Sequence, residues 1–329
     1  MHQAATEADV QLSNEPELSS VSEWGLAWRR LKKRRIAMLA LGFIMLFYAA
    51  GISASFLDDL GVLYDYRASN LDAALEGPSW EHPFGTDRLG RDQLTRILWA
   101  ARTTVIVTAA TLLTGGLVIG VSLGLLSGYA GGWIDNVIMR VGDAFASLPG
   151  ILMLILINAT LKDRVRDLAA DVESLTGIGG LVDSGAPDYF LVFGALSLFG
   201  WVGTARILRS QILSIREREY ITAARSIGAS TPRVMFRHLL PNVSNFIIVG
   251  LSASLATIAG SEIVLTWFGV GIQPPTPSFG TLIFDASSVR TVNVHAYLLI
   301  FPGAIVAGLL FAFNLLGDAL TDVFTPKAR

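Results

Sequence analysis

Cysteine is absent from this 329-residue chain. That excludes disulfides, zinc–thiolate sites, iron–sulfur clusters and cysteine nucleophiles. Histidine is scarce: His2, His82, His238 and His295 stand far apart in sequence, so neither a histidine metal pair nor a bis-histidine haem site has local support. Charged residues make up only 16%, against roughly 25% in a soluble domain. The net charge of −2 gives no sign of nucleic-acid binding. The lysines are Lys32, Lys33, Lys162 and Lys327, and none follows a glycine. A phosphate-cradling Gly-x-x-x-x-Gly-Lys loop is therefore missing.

In place of charge there are long apolar runs; 52% of residues are hydrophobic. Runs of 18 or more apolar residues read as membrane helices. About six are expected, near 36–57, 103–129, 138–159, 189–206, 245–268 and 296–316, giving an all-α membrane protein. The first run is too long for the roughly 7–15-residue apolar core of a cleaved signal peptide. Pro149 interrupts the third.

The remaining segments are polar. Residues 1–23 carry five acids and no Lys or Arg, the pattern of a disordered tail. Trp24, Trp28 and Leu31 then share a helical face beside Arg29, Arg30, Lys32, Lys33, Arg34 and Arg35, as in an amphipathic helix lying on anionic lipid. Residues 58–102 and the stretch 161–188 separate spans. In the latter, Leu161, Val165, Leu168 and Val172 repeat as on a short amphipathic helix. With the N-terminus inside, 16 basic residues fall on the cytoplasmic side and nine on the other. This favours both termini in the cytoplasm.

Gly116, Gly120, Gly124 and Gly128 recur every four residues, a ridge of small residues that lets another helix approach. Plain helix packing accounts for it as well as any transport role. Glu262 falls inside the fifth run, where an ionisable group is costly. It is read either as lining a path or gate, or as a structural contact near the helix end. Arg140 and Asp143, three apart, suit an intrahelical pair. Asp87, Arg88, Arg91 and Asp92 read as a solvated turn ahead of a phosphate or metal site. Gln273–Pro277 reads as a stiff loop, a scaffold or a docking edge.

The most informative stretch is Glu219–Pro241, between the fourth and fifth runs. Ile221, Ala224 and Gly228 share one face. Gly228 suits a left-handed helix stop, Thr231 an N-cap and Pro232 the first helical position. Pro241 is read as ending the second helix. Two short helices with an Ala-rich face would project into the cytoplasm.

This stretch resembles the EAA loop of ATP-binding-cassette importer permeases. Ala223, Ala224, Gly228, Leu240 and Pro241 are in register, while Thr222 and His238 replace the usual Glu and Ile. Tyr220, Ala223, Ala224, Arg225, Gly228 and Ala229 follow the variant found in dipeptide and oligopeptide importers. His82–Asp92, Gly128–Gly132, Phe268–Pro275 and Phe313–Asp318 resemble further blocks of the second permease subunit of that group, which also includes nickel importers. The resemblance covers about residues 25–326. It implies a type I importer permease fold in a prokaryotic inner membrane, with residues 103–320 as the core and 321–329 as a cytoplasmic tail. It implies a second homologous permease, two ATPase subunits that hold ATP and magnesium, an external solute-binding protein, and no cofactor on this chain. Glu219, Tyr220, Ala223, Ala224, Arg225, Gly228, Ala229, Leu240 and Pro241 would then be the ATPase-coupling loop. An ion-coupled secondary transporter is the alternative; it usually wants inverted repeats and central ionisable residues, and the chain shows no internal repeat. A membrane enzyme would need a catalytic cluster within the spans, which is lacking. The solute is not legible.

Overall fold

The computed structural model describes residues 23–177 and 179–324. The acidic stretch 1–22 and the end 325–329, with Lys327 and Arg329, on which the expected tails fall, lie outside the described residues. All regular elements among the described residues are helical. They are α1 (Glu23–Lys32), α2 (Arg35–Asp59), α3 (Gln93–Ala130), α4 (Gly132–Ser147), α5 (Gly150–Thr176) and α6 (Ala186–Ile215). There follow α7 (Glu219–Ser226), α8 (Thr231–Trp267), α9 (Phe279–Ala286), α10 (Val289–Val294) and α11 (Tyr297–Phe324).

Helices α2, α3, α6, α8 and α11 are each long and apolar enough to cross a membrane. The pair α4–α5 makes a sixth span if its two parts are counted together, but they meet at 89°. The expected third span is thus broken rather than straight. The cause is local: Leu148 precedes Pro149 and adopts an extended conformation, because the proline ring disfavours α geometry in the residue before it. Beyond the bend, α5 continues without interruption to Thr176. The amphipathic helix expected at 161–172 is therefore part of the second half of α5, and Leu168 and Val172 are exposed. Arg166 pairs with Asp188 at 3.3 Å, and Glu173 accepts a 2.7 Å bond from the Gly180 amide, tying this half to the start of α6.

Two boundaries move. Helix α3 starts at Gln93, ten residues before the expected span, because Asp92 accepts from the Thr95 amide at 2.7 Å and caps it. Arg96 and Arg102 accordingly belong to α3 and not to a loop. At 38 residues, α3 is about 57 Å long, well beyond a bilayer's apolar thickness. Helix α11 continues to Phe324, through the first residues of the expected tail.

The most consequential departure is at Pro241. It does not end a helix: α8 runs from Thr231 through Pro241 to Trp267. A proline lacks the N–H that an α-helix needs and crowds the carbonyl four residues back. Here a π-helical turn over Val234–Leu239 precedes it, and the Leu240 amide reaches the Met235 carbonyl five residues back. The widened turn accommodates the ring. The N-cap of α8 is Ser230, not Thr231.

The bundle has two distinct ends. At one, which we term the capped end, residues 60–92 cover the starts of α3 and α11: Tyr297 donates to the Thr86 carbonyl at 3.1 Å and Phe84 stacks on Phe301. At the other, the basic end, lie α1, α7 and the end of α11. Ala27 and Leu31 of α1 pack on Ala319 and Val323 of α11, so the apolar face of the expected amphipathic helix is partly covered by the protein itself.

Candidate functional site

The loop at the basic end is built on a glycine. Helix α7 ends with the Gly228 amide bonded to the Arg225 carbonyl at 2.9 Å and the Ala229 amide to the Ala224 carbonyl at 3.0 Å. Gly228 has φ +83°. This pair of bonds around a left-handed residue is a Schellman stop, as the sequence predicts. A Cβ at Gly228 would meet no atom within 4 Å. The constraint there is backbone conformation alone, worth about 1–2 kcal/mol for a non-glycine residue.

Helix α7 has an inner and an outer face. Ile221 is fully buried and Ala224 nearly so. Ile221 packs in one cluster with Leu208, Ile212 and Ile215 of α6, Val121 and Leu125 of α3, and Val234, Leu239 and Val243 of α8. Ala224 therefore faces its own subunit. Its small size serves the seating of α7. Exposed on the outer side are Tyr220, Ala223, Arg225, Ile227 and, across the turn, Phe236. Ile227 is 87% exposed and Phe236 62%. The residue pattern singles out neither; the signal for them is two bulky apolar residues in a basic segment too short to span. Glu219 and Pro241 are also exposed, and Ala229 and Leu240 are half-buried.

Polar contacts join α7 and α6 to the end of α3. The Arg225 guanidinium lies over the Tyr129 ring. Arg216 donates to the Gly128 carbonyl at 3.1 Å. Arg209 makes two bonds to Asp135, at 2.5 and 2.6 Å, and Ser127 donates to the same carboxylate. Asp143 pairs with Arg206 of α6 at 3.0 Å. The intrahelical pair expected with Arg140 is not what forms; the inter-helix partner is closer.

Above this network runs the glycine ridge. A Cβ at Gly120 would lie 2.8 Å from Thr204 Cβ, at Gly124 2.9 Å from the Ala205 carbonyl, and at Gly128 2.8 Å from Ile212 Cβ. All three are therefore in direct contact with α6, as expected for a packing ridge. Gly116 is displaced from it. Its Cβ would meet Leu251 of α8, and Gly115 takes its place against Ser197 of α6. The reason is a π-helical stretch at Leu112–Gly120, which makes the step from Gly115 to Gly120 five residues rather than four.

Glu262 lies between α8 and α3, fully buried. Thr104 donates to one carboxylate oxygen at 3.1 Å and Thr266 to the other at 3.3 Å. Its partners are within the subunit, and none of its surface is open to a solute in this conformation.

In the Asp87–Asp92 turn the two carboxylates are buried, while Arg91 is half-buried and Arg88 exposed, so the turn is solvated on one side only. Asp87 accepts from the Leu89 and Arg91 amides and from the side chains of Arg91 and Arg96. Burial alone would raise its pKa; the adjacent Arg96 charge and the Arg91 bonds outweigh it and hold the carboxyl below its ordinary range. Asp92 also meets His82 at 3.0 Å, and Arg88 reaches Ser288 and Thr291. The turn is a structural knot. Among the described residues no group of three or more acids and histidines is placed to hold a metal.

These features coincide with a clear pattern of kinship. Residues 120–329 match the family model described as binding-protein-dependent transport system inner membrane component. Residues 22–78 match that of the N-terminal transmembrane domain of oligopeptide transport permease C. The oligopeptide transport system permease protein OppC of Bacillus subtilis is 33% identical, over 94% of this chain and 92% of its own. The dipeptide transport system permease protein DppC of the same organism is 34% identical, over 95% and 88%. The glutathione transport system permease protein GsiD of Pectobacterium atrosepticum is 33% identical, over 93% and 92%. The chain belongs to the family of binding-protein-dependent transport system inner membrane components, as a multi-pass permease subunit of an importer in the cytoplasmic membrane.

Proposed function

We propose that Glu219–Pro241 is the element through which partner ATPase subunits drive this permease. The observation that carries the reading is the two-faced α7. Ile221 and Ala224 root it in the α3–α6–α8 core, while Tyr220, Ala223, Ile227 and Phe236 present apolar surface at the end of the bundle. A helix seated on one side and bare on the other moves with its core when pushed. ATP and magnesium would be held by two ATPase subunits, and this chain would bind no cofactor. It would form half of a translocation pathway with a second, homologous permease, receiving solute from an external binding protein. Closure of the ATPases would push α7, and the Arg225, Arg216 and Arg209 contacts would pass the motion to α3, α4 and α6 as one body. That is a two-state switch biased at one end. The relatives named for oligopeptides, dipeptides and glutathione support a peptide-like cargo. For Glu262 the proposal is a structural clamp between α3 and α8.

This reading places the basic end and both termini in the cytoplasm and the capped end outside. The absence of cysteine makes the test simple. Single cysteines at Asp171 and Ser287 should react with an impermeant thiol reagent in intact cells, and one at Ser230 should not. Labelling at Ser230 alone would invert the orientation and remove the loop from the ATPase side.

A further inference from the structure

At the basic end a cleft of about 240 Å³ opens beside the contact of α1 with α11. Trp28 and Leu31 of α1, Leu41 of α2, Ile248 of α8, and Leu320 and Val323 of α11 line it. Apart from the Trp28 indole, no side chain of its wall carries a polar group. Water inside would find too few partners there, since a bound water needs two to four polar groups.

The rim has the opposite character. Arg30 donates to the Val323 carbonyl at 3.4 Å and Arg34 to Asp322 at 2.6 Å, which brings both guanidinium groups to the end of α11 that walls the cleft. Arg29, Lys33 and Arg35 are exposed on the same short stretch, with no acidic side chain within ion-pairing distance among the described residues. Lys32 lies over the half-exposed Trp28 ring. On the facing turns of α11 the acids are Asp318 and Asp322, and Asp322 is already engaged by Arg34.

We propose that this cleft binds one anionic phospholipid, with an acyl chain along the walls that α1, α2, α8 and α11 form and the phosphate held by Arg29, Arg30 and Lys33. An apolar slot with a cationic rim is complementary to that molecule and to its charge. A zwitterionic lipid would fill the slot and leave the excess positive charge unmatched. Near a membrane surface each basic residue adds to anionic-lipid attraction, and salt screens the effect. The bound lipid would add to the Ala27, Leu31, Arg30 and Arg34 contacts that already hold α1 on the end of α11.

The test uses the assembled importer in bilayer nanodiscs. Phosphatidylglycerol and phosphatidylcholine, each with a photoreactive group on one acyl chain, are compared, and adducts are mapped by mass spectrometry. Phosphatidylglycerol should label the cleft residues around Trp28 and Leu320 about tenfold or more above phosphatidylcholine. That preference should collapse in 1 M salt and in the Arg29→Gln, Arg30→Gln, Lys33→Gln triple variant. Equal labelling by the two lipids would overturn the proposal. So would adducts absent from the cleft, which would mean that a segment such as 1–22 or 325–329 covers it. Should the triple variant fail to assemble, the salt comparison on the unaltered complex still decides the question.

Discussion

The Arg225 guanidinium lies 4.9 Å from the centre of the Tyr129 ring and joins α7 to the last turn of α3. A cation over an aromatic face contributes about 0.5–1 kcal/mol at an exposed site. That is too little to decide whether α7 folds, because Ile221 and the Gly228 stop do so. It is enough to decide how firmly α7 and α3 move together. Arg225→Ala should therefore leave the complex assembled and lower solute uptake several-fold, with Arg225→Lys partly restoring it. Unchanged uptake in reconstituted vesicles carrying Arg225→Ala would show that motion does not pass through this contact.

The glycines of α3 make a ranked set. Alanine at Gly120, Gly124 or Gly128 places a methyl within 2.9 Å of α6 backbone or Cβ atoms, which can yield only by moving the helix. Each should lower stability by about 1–3 kcal/mol, seen as a reduced midpoint of thermal unfolding in detergent. Gly116→Ala meets only the tip of the Leu251 side chain, which can rotate away, and should be milder. Equal effects at Gly116 and Gly124 would mean that the five-residue step in the ridge is wrong.

How far the sequence discloses these features depends on the range of the interaction. The Gly228 stop is legible because a left-handed residue in a helix–turn–helix pattern is a local demand. The ridge is legible because its period is local, apart from the π-helical offset that moves Gly116 out and Gly115 in. Pro241 misleads because its effect depends on a widened turn upstream, which no residue type announces. Asp143 pairs with Arg206 rather than Arg140 because the bundle brings α6 closer than the next turn of α4. The inward orientation of Ala224 is set by the core beneath α7, whereas the residue pattern shows only which side chains share its face.

Glu262 separates a structural from a gating role. If its role is to clamp α3 to α8, Glu262→Gln keeps an acceptor for the Thr104 or Thr266 hydroxyl and should sustain assembly and uptake near normal. Glu262→Leu strands both hydroxyls and should cost about 1–3 kcal/mol of stability, read as loss of α3–α8 packing in detergent. A Glu262→Gln complex that assembles fully yet fails to transport would assign this carboxylate to the pathway.

The central claim is that the outer face of α7 is where ATP-driven motion enters the permease. The most direct measurement is ATP hydrolysis by the reconstituted complex, stimulated by solute-loaded binding protein, alongside uptake. The variants are Ala223→Glu and Ile227→Glu, which alter only the exposed face, and Gly228→Asp, which strains the turn. The account predicts that all three insert in the membrane, that the binding protein still takes up solute, and that stimulated hydrolysis and uptake fall to background. Wild-type stimulation and uptake in Ala223→Glu and Ile227→Glu would contradict it.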